Sequence, residues 1–324
     1  MAHAQRLFRY GEPETLLWEA MAVPEPEPGQ VLLRQTAIGV NYIDIYHRTG
    51  LYPLPALPAV PGVEGAGVVE AVGAGVSLFQ PGDRVAYAGP IGGYATHRLI
   101  AADRLVPLPD WVSDAEAAAL MLQGMTAQYL LRQTWPVQPG DTVLIHAAAG
   151  GVGLLVCSWA RALGATVIGT VSTPAKAELA RQHGCTHPIV YTEEDFVARV
   201  RDITNGQGVP VVYDSVGQST FAGSLDCLRP RGMLVLFGQA SGPVPPFDLG
   251  LLASKGSLFI TRPTLFTYIA SRQELLDTAA DLLDALQQGH IRATIGQTFP
   301  LQDAAAAHRA LESRTTHGAT LLLP

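Results

Sequence analysis

The stretch VLIHAAAGGVG, residues 143–153, decides how this chain folds. Val143 to Ala147, with His146 inside, is a short apolar run that reads as a buried parallel strand. Small residues follow at once: Ala148, Ala149, Gly150, Gly151, then Val152 and Gly153. The next segment, LLVCSWARALG (154–164), has helical apolar spacing and a glycine stop. Strand, small-residue turn and helix in that order open a dinucleotide-binding βαβ unit. Such a turn lets backbone approach a pyrophosphate. The helix amino terminus adds unpaired N–H groups and a partial positive charge. The spacing is Ala147-x-x-Gly150-x-x-Gly153, with alanine where the common fingerprint has its first glycine. A tight strand–helix turn with no ligand is the plainer alternative, and the context on both sides favours the cofactor.

Downstream, strand and helix signals alternate. Thr166–Val171 is short and β-branched, Thr173 caps a helix with Pro174 at its first position, and Gly184 stops it. Ile189–Tyr191 reads as a strand, and Thr192 as the cap of a helix with Glu193, Glu194 and Asp195 in its first turn. Pro210–Tyr213 is the next strand, Ser219–Leu228 a helix, and Gly232–Phe237 a further strand. Gly256–Thr261 is an edge strand. Alternation of this kind predicts an α/β doubly wound parallel sheet of Rossmann type.

Upstream, residues 1–110 read as one all-β unit. The strands are Gln30–Ala37, Gly65–Val72, Arg84–Ala88 and Tyr94–Ile100, punctuated by Pro24–Gly29, Pro53–Pro61 and Pro81–Asp83. That pattern suits a small barrel with long loops. Ser113-Asp-Ala-Glu116 is a capping box for a helix through Leu122, and a second helix runs near Thr126–Gln133. Ser271-Arg-Gln-Glu274 is another capping box, and a last helix runs near Asp303–Glu312. Gly318–Pro324 reads as a strand returning to the first domain, which makes that domain discontinuous.

The chain has 324 residues, 48% hydrophobic and 15% charged, with a net charge of −7. Those values fit a compact enzyme and argue against a broad nucleic-acid or anionic-membrane surface. No apolar run reaches the roughly 20 residues of a membrane span. The start MAHAQRLFRYGEPE has no apolar core of a secretory signal, so a cytoplasmic location is expected. Cys157, Cys185 and Cys227 are too sparse for a disulfide framework.

A site that prefers NAD places Asp or Glu about 20 residues past the glycines. Here that position is Ser172, followed by Thr173, with Lys176 one helical turn on and Tyr191 ending the next strand. Ser172, Lys176 and Tyr191 together suit a 2′-phosphate, so NADPH is expected over NADH. The alternative for Lys176 is a solvated helix face.

These residues resemble the medium-chain dehydrogenase/reductase superfamily, and within it the zinc-free quinone oxidoreductases, the zeta-crystallin-like branch. The resemblance is carried by AIGVNYIDIYHRTGLYP (37–53), PGVEGAGVVEAVGAGV (61–76), PGDRVAY (81–87), HAAAGGVG (146–153), VVYDSVG (211–217) and ESRTTHGATLLLP (312–324). Asn41 stands where zinc-dependent members have their first cysteine ligand, and Val63 where they have a histidine, which leaves Glu64 alone. No metal is expected. Without a Lewis acid, an acceptor that is already electron-poor is favoured over an alcohol.

The resemblance implies a GroES-like β-barrel catalytic domain from residues 1–124 and 263–324, a Rossmann NADPH-binding domain from 125–262, and a homodimer through edge strands near 256–261. It places Asn41, Tyr46 and Thr126 toward the nicotinamide end. Gly150, Gly151 and Val152 fall at the pyrophosphate, and Ser172, Lys176 and Tyr191 at the 2′-phosphate. Val216, Phe237, Gly238 and Arg314 complete the walls. Asn41, Tyr46 and Tyr52 are the candidate catalytic residues. Each tyrosine either contacts a quinone oxygen or ring, or is a packed barrel tyrosine with a wet tip. Asn41 orients the nicotinamide or Tyr46, or forms a turn. The expected reaction is hydride, or stepwise electron, transfer from NADPH to a small-molecule quinone. A 2-alkenal or enone reductase on the same fold, and a non-enzymatic RNA-binding protein, are the rivals. The acidic charge balance disfavours nucleic acid.

Overall fold

A computed structural model describes residues 1–324 apart from Pro24 and Arg314. The chain divides into two compact units: residues 1–125, 269–279 and 293–324, and residues 126–268 and 280–292.

The second unit is built on six parallel strands. In spatial order these are His187–Val190, Thr166–Val171, Thr142–Ile145, Val209–Asp214, Leu228–Leu236 and Phe259–Thr261. Numbered along the chain this is 3-2-1-4-5-6, the order of a doubly wound nucleotide-binding sheet. Ile168, Leu144, Val212, Leu234 and Ile260 stand in direct register across five of these strands. They meet Phe221 and Leu225 in one apolar cluster. Burying each such side chain contributes about 1.5–3 kcal/mol, so this row ties the sheet to its covering helices. The strand order reverses between Thr142–Ile145 and Val209–Asp214, and the turns leaving those two carboxyl ends carry the small residues of 146–153 and 214–217.

The first unit holds a seven-stranded, mostly antiparallel sheet. Gln30–Val40 is its longest strand, and pairs with Glu64–Val72, His97–Ala101 and the returning Ala319–Leu323. Ile295–Pro300 adds a parallel edge to Ala319–Leu323.

The structure corrects several sequence expectations. Residues 1–110 are not all β: Tyr42–Thr49 is a helix. Asn41 caps it, its backbone N–H donates to Asp44 Oδ2 at 2.9 Å, and Gly50 ends it at φ 80°. The helix from the Ser113 box does not stop at Leu122 but runs Asp114–Gln128 and passes into a π-helical turn at Tyr129–Thr134. Gly124 does not break it. Asp195, not Thr192, caps the helix Phe196–Ile203, accepting from the N–H groups of Val197 and Ala198. Thr192 Oγ1 instead donates to the Ser172 carbonyl at 3.0 Å. The strands Ala2–Leu7, Leu16–Met21 and Ile295–Pro300 lack the strict alternation that would have marked them. Both capping boxes form, with Glu116 and Glu274 accepting from Ser113 and Ser271.

The turn after Thr142–Ile145 sets a close approach. Ala147 lies at φ 54°, a left-handed conformation that costs an L-residue about 1–2 kcal/mol. Its carbonyl turns back under the helix Gly151–Ala162, and a Cβ on Gly153 would sit 2.3 Å from it. Alanine in a helix is about 1 kcal/mol better than glycine. Overpacking against backbone costs about 1–3 kcal/mol and should win. Gly153→Ala is therefore expected to lower the urea midpoint; an unchanged or raised midpoint would show that the turn opens freely.

Candidate active site

In the second unit the small-residue turn leads to a helix mouth. Gly150 is the N-cap of Gly151–Ala162, and no side chain caps it. The first N–H groups of a helix have no intrahelical partner. The Gly150 N–H is taken by the Ala147 carbonyl at 2.9 Å, so Gly151 and Val152 present the backbone donors, and the helix dipole adds positive potential. This fits a pyrophosphate.

Ser172 and Tyr191 follow neighbouring parallel strands. The Tyr191 N–H donates to the Val171 carbonyl at 3.0 Å, and its side chain is exposed. Lys176 lies in the first turn of Pro174–Gln182, where its backbone N–H donates to Thr173 Oγ1 at 3.3 Å. The structure thus brings Ser172, Lys176 and Tyr191 to one end of the sheet. Val216, Phe237 and Gly238 also come together. The Phe237 N–H donates to the Asp214 carbonyl at 2.9 Å and the Ser241 N–H to the Val216 carbonyl at 2.8 Å. A Cβ on Gly238 would meet the Ser215 carbonyl at 2.6 Å. Thr126 lies in the helix Asp114–Gln128. Arg314, expected on the wall, lies outside the described residues.

Sequence reading missed what holds these turns. Buried Asp214 accepts from the N–H groups of Val216 (2.8 Å) and Gly217 (3.1 Å), and from the hydroxyls of Thr220 (2.7 Å) and Ser224 (2.9 Å). Because Ser224 donates to Asp214, its oxygen accepts from His146 Nε2–H at 3.0 Å. His146 Nδ1 then accepts from Thr170 Oγ1–H at 2.8 Å. Burial pushes His146 below its ordinary value and keeps the ring neutral. One chain of donors thus links the turn at 146, the strand leading to Ser172, and the loop at 214–217.

In the first unit Asn41 is the centre. Its Nδ2 donates to Glu64 Oε2 at 2.7 Å, and its Oδ1 accepts from Gln123 Nε2 at 3.0 Å. Glu64 Oε1 accepts from the Leu122 N–H at 2.5 Å. Asp44 Oδ2 accepts from Tyr94 Oη at 3.0 Å, and Tyr94 Oη contacts His308 Nε2 at 2.9 Å. Asp44 Oδ2 thus accepts both from the N-cap of its own helix and from Tyr94, far along the chain. Tyr46 is buried, its ring 4.9 Å from that of Tyr52. Tyr52 donates its backbone N–H to the Tyr46 carbonyl at 3.0 Å and is half-buried. Glu64 and Gln123 were not singled out as partners of Asn41, because both lie far away in sequence.

This cluster does not fit zinc. Both Glu64 oxygens already accept hydrogen bonds, and Asn41 and Val63 stand in the neighbouring positions. Among the described residues no three His, Cys, Asp or Glu are grouped to hold an ion.

The comparisons with known proteins agree with this geometry. Residues 27–110 match the family model "Alcohol dehydrogenase GroES-like domain", and residues 151–285 match "Zinc-binding dehydrogenase". The chain is 52% identical over 325 residues to a quinone oxidoreductase of Pseudomonas aeruginosa, covering all of both chains. It is 50% identical to a 2-haloacrylate reductase of Burkholderia sp, covering 100% of this chain and 99% of that one. The solved Escherichia coli quinone oxidoreductase complexed with NADPH superposes with a TM-score of 0.98 at 46% identity, over 99% of this chain and all of that one.

Burial dominates the titration of the two acids beside Asn41. It lifts Asp44 from 3.8 to about 7 and Glu64 from 4.5 to about 8, against the donors that favour their charged forms. The folded chain keeps these protons where the unfolded chain has lost them. Their contribution is full below about pH 4 and declines as pH rises through 7 and 8. At about 1.4 kcal/mol per unit, the Glu64 part is on the order of a few kcal/mol. Between pH 5 and 9 the melting temperature of the wild type should fall more steeply than that of Glu64→Gln. Parallel curves would show that Glu64 does not titrate in that window.

Proposed function

The chain belongs to the medium-chain dehydrogenase/reductase superfamily, and from that premise we propose that it is an NADPH-dependent quinone reductase. The observation that carries the reading is the full-length likeness, near 50% identity, to quinone oxidoreductases, one of them solved with NADPH. The helix mouth at Gly150–Val152 supports the nucleotide assignment. Bound NADPH supplies the hydride; the chain binds, orients and excludes water.

In this reading residues 125–262 form the nucleotide-binding domain, and residues 1–124 with 263–324 the catalytic domain. Gly151 and Val152 donate to the pyrophosphate, and Gly150, with no side chain, lets it approach the helix mouth. Ser172, Lys176 and Tyr191 hold the 2′-phosphate through two hydroxyls and one charge. Asn41, Tyr46 and Thr126 serve the nicotinamide end, and Val216, Phe237 and Gly238 form walls. Asn41, Tyr46 and Tyr52 face the quinone, which needs no metal to accept a hydride because its ring is already electron-poor. The likeness to a 2-haloacrylate reductase favours a second class of acceptor, an electron-poor alkene, on the same site.

Two further parts belong to the same reading. No helix among the described residues is long and apolar enough to cross a membrane, and we place the chain in the cytoplasm; cell fractionation that recovers it with membranes would refute this. Phe259–Thr261 is an edge strand, and its Phe259 side chain is exposed. Pairing of that edge across a two-fold axis would give a homodimer, and sedimentation at the monomer mass would refute it.

The test is a panel of 1,4-benzoquinones, 2-alkenals and 2-chloroacrylate assayed by NADPH oxidation, with Lys176→Ala run alongside. Quinones should give the highest kcat/KM, in chelator-treated protein as in untreated. Lys176→Ala should weaken NADPH by about 1.5–3 kcal/mol, the worth of a charge-assisted hydrogen bond, and leave NADH nearly untouched. A panel led by the alkenes would move the substrate class. Equal losses for both nucleotides would remove Lys176 from the 2′-phosphate.

A further inference from the structure

A side-chain amide has nearly the same shape after a half-turn about its last bond, so its orientation is set by the polarity of its partners. At Asn41 those partners come from two elements of the first unit. Glu64 opens the strand Glu64–Val72, and Leu122 and Gln123 lie in the helix Asp114–Gln128. The backbone N–H of Leu122 cannot reverse, and it donates to Glu64 Oε1. Where Glu64 is ionised, above about pH 8, its oxygens only accept, so Oε2 takes a hydrogen bond from Asn41 Nδ2, and Asn41 Oδ1 is left to accept from Gln123. One strand away, a Cβ on Gly39 would lie 2.2 Å from Glu64 Oε2 and 2.5 Å from the Ala118 carbonyl. The backbone at Gly39 is thus bare where the carboxylate lies against it.

We propose that Glu64 is a positioning residue whose carboxylate holds the Asn41 amide in one of its two orientations, and so fixes which of its polar atoms is offered to the reacting end of the site. The inference rests on the reading that Asn41 serves that end. After these bonds Asn41 keeps one N–H for a ligand, since its Oδ1 also faces the Asp44 backbone N–H of the capping box. Turning the amide over would exchange donor for acceptor at that place, with no change in shape.

Glu64→Gln tests this, because the introduced amide has a donor at one end. Its oxygen must meet the Leu122 N–H, so its NH₂ meets Asn41 and drives both Asn41 and Gln123 to turn. The chain contains only two asparagines, Asn41 and Asn205. Selective 15N-asparagine labelling therefore gives two side-chain NH₂ pairs, and Asn41→Ala assigns them. Spectra are taken at pH 9, above the value of about 8 to which burial pushes Glu64. In the wild type one Asn41 proton should lie downfield, as a donor to carboxylate. In Glu64→Gln that shift should be lost while Asn205 stays unmoved. An Asn41 pair identical in both proteins overturns the proposal.

The kinetic arm uses NADPH and 1,4-benzoquinone, also at pH 9, where Glu64 is ionised. Glu64→Gln should lower kcat about 10–100-fold, the range expected from a misplaced site group, with KM for NADPH within about two-fold. The double variant with Asn41→Ala should be no slower than Asn41→Ala alone. Additive losses would show that Glu64 does not act through Asn41 and overturn the proposal. If Asn41→Ala turns over like the wild type, Asn41 leaves the reaction and Glu64 with it. If no quinone is turned over at all, the functional reading fails and the spectra alone decide the orientation. Should Glu64→Gln not fold, Gln123→Glu makes the same test from the other end, by setting an acceptor against Asn41 Oδ1.

Discussion

Four backbone N–H groups at the start of every helix have no partner within it, and in this chain one such set shapes the second unit. The strand Thr142–Ile145 is buried in the sheet centre, so the chain must leave it in a very tight turn to start Gly151–Ala162. Only small residues allow that. Ala147 accepts a left-handed backbone, and Gly153 gives the passing carbonyl room. The sheet order then brings a second turn, after Val209–Asp214, beside the first, because the winding of the sheet reverses between those strands.

Hydrogen bonding fixes these turns where apolar packing cannot. Loops have few apolar contacts, and a buried polar group left unpaired costs about 1–3 kcal/mol. Asp214 turns that cost into order: four donors converge on its carboxylate, two of them backbone N–H groups of the loop itself. His146 and Thr170 extend the order to two other strand ends. Loss of any member would leave a buried atom unpaired on another strand, which is why such networks act as a unit.

Much of this was legible from residue order. The turn at 147–153 and the strands Arg84–Ala88 and Thr166–Val171 carry local signals, and the structure draws both strands with the same limits as the sequence reading. The helix Tyr42–Thr49 was legible too, since Asn41, Asp44 and Gly50 form a cap, a third-position acid and a stop. Strand-like surroundings masked it, and Asn41 reads there as a nicotinamide or turn residue. The polar networks left no local trace. Tyr94 and His308 are 214 residues apart, and His146 and Ser224 are 78 apart. Neither contact leaves a period or spacing in the sequence; only the fold brings such pairs together.

The two units treat their buried acids differently, and the difference bears on where chemistry is placed. Asp214 is surrounded by donors and serves as a fixed anchor. In the first unit Asp44 Oδ1 finds no partner among the described residues, and His308 Nδ1 is likewise unpaired. Burial lifts both Asp44 and Glu64 toward neutrality there, and lowers His308 to about 3. A cluster tuned only for stability would trade such groups for apolar ones, since replacing buried charge by well-packed hydrophobes is often neutral or stabilising. Retaining two acids, an amide pair, a tyrosine and a histidine around one strand end therefore carries a cost that packing does not return. The cluster offers instead a defined pattern of donors and acceptors at Asn41, rigid enough to discriminate between the two faces of an amide.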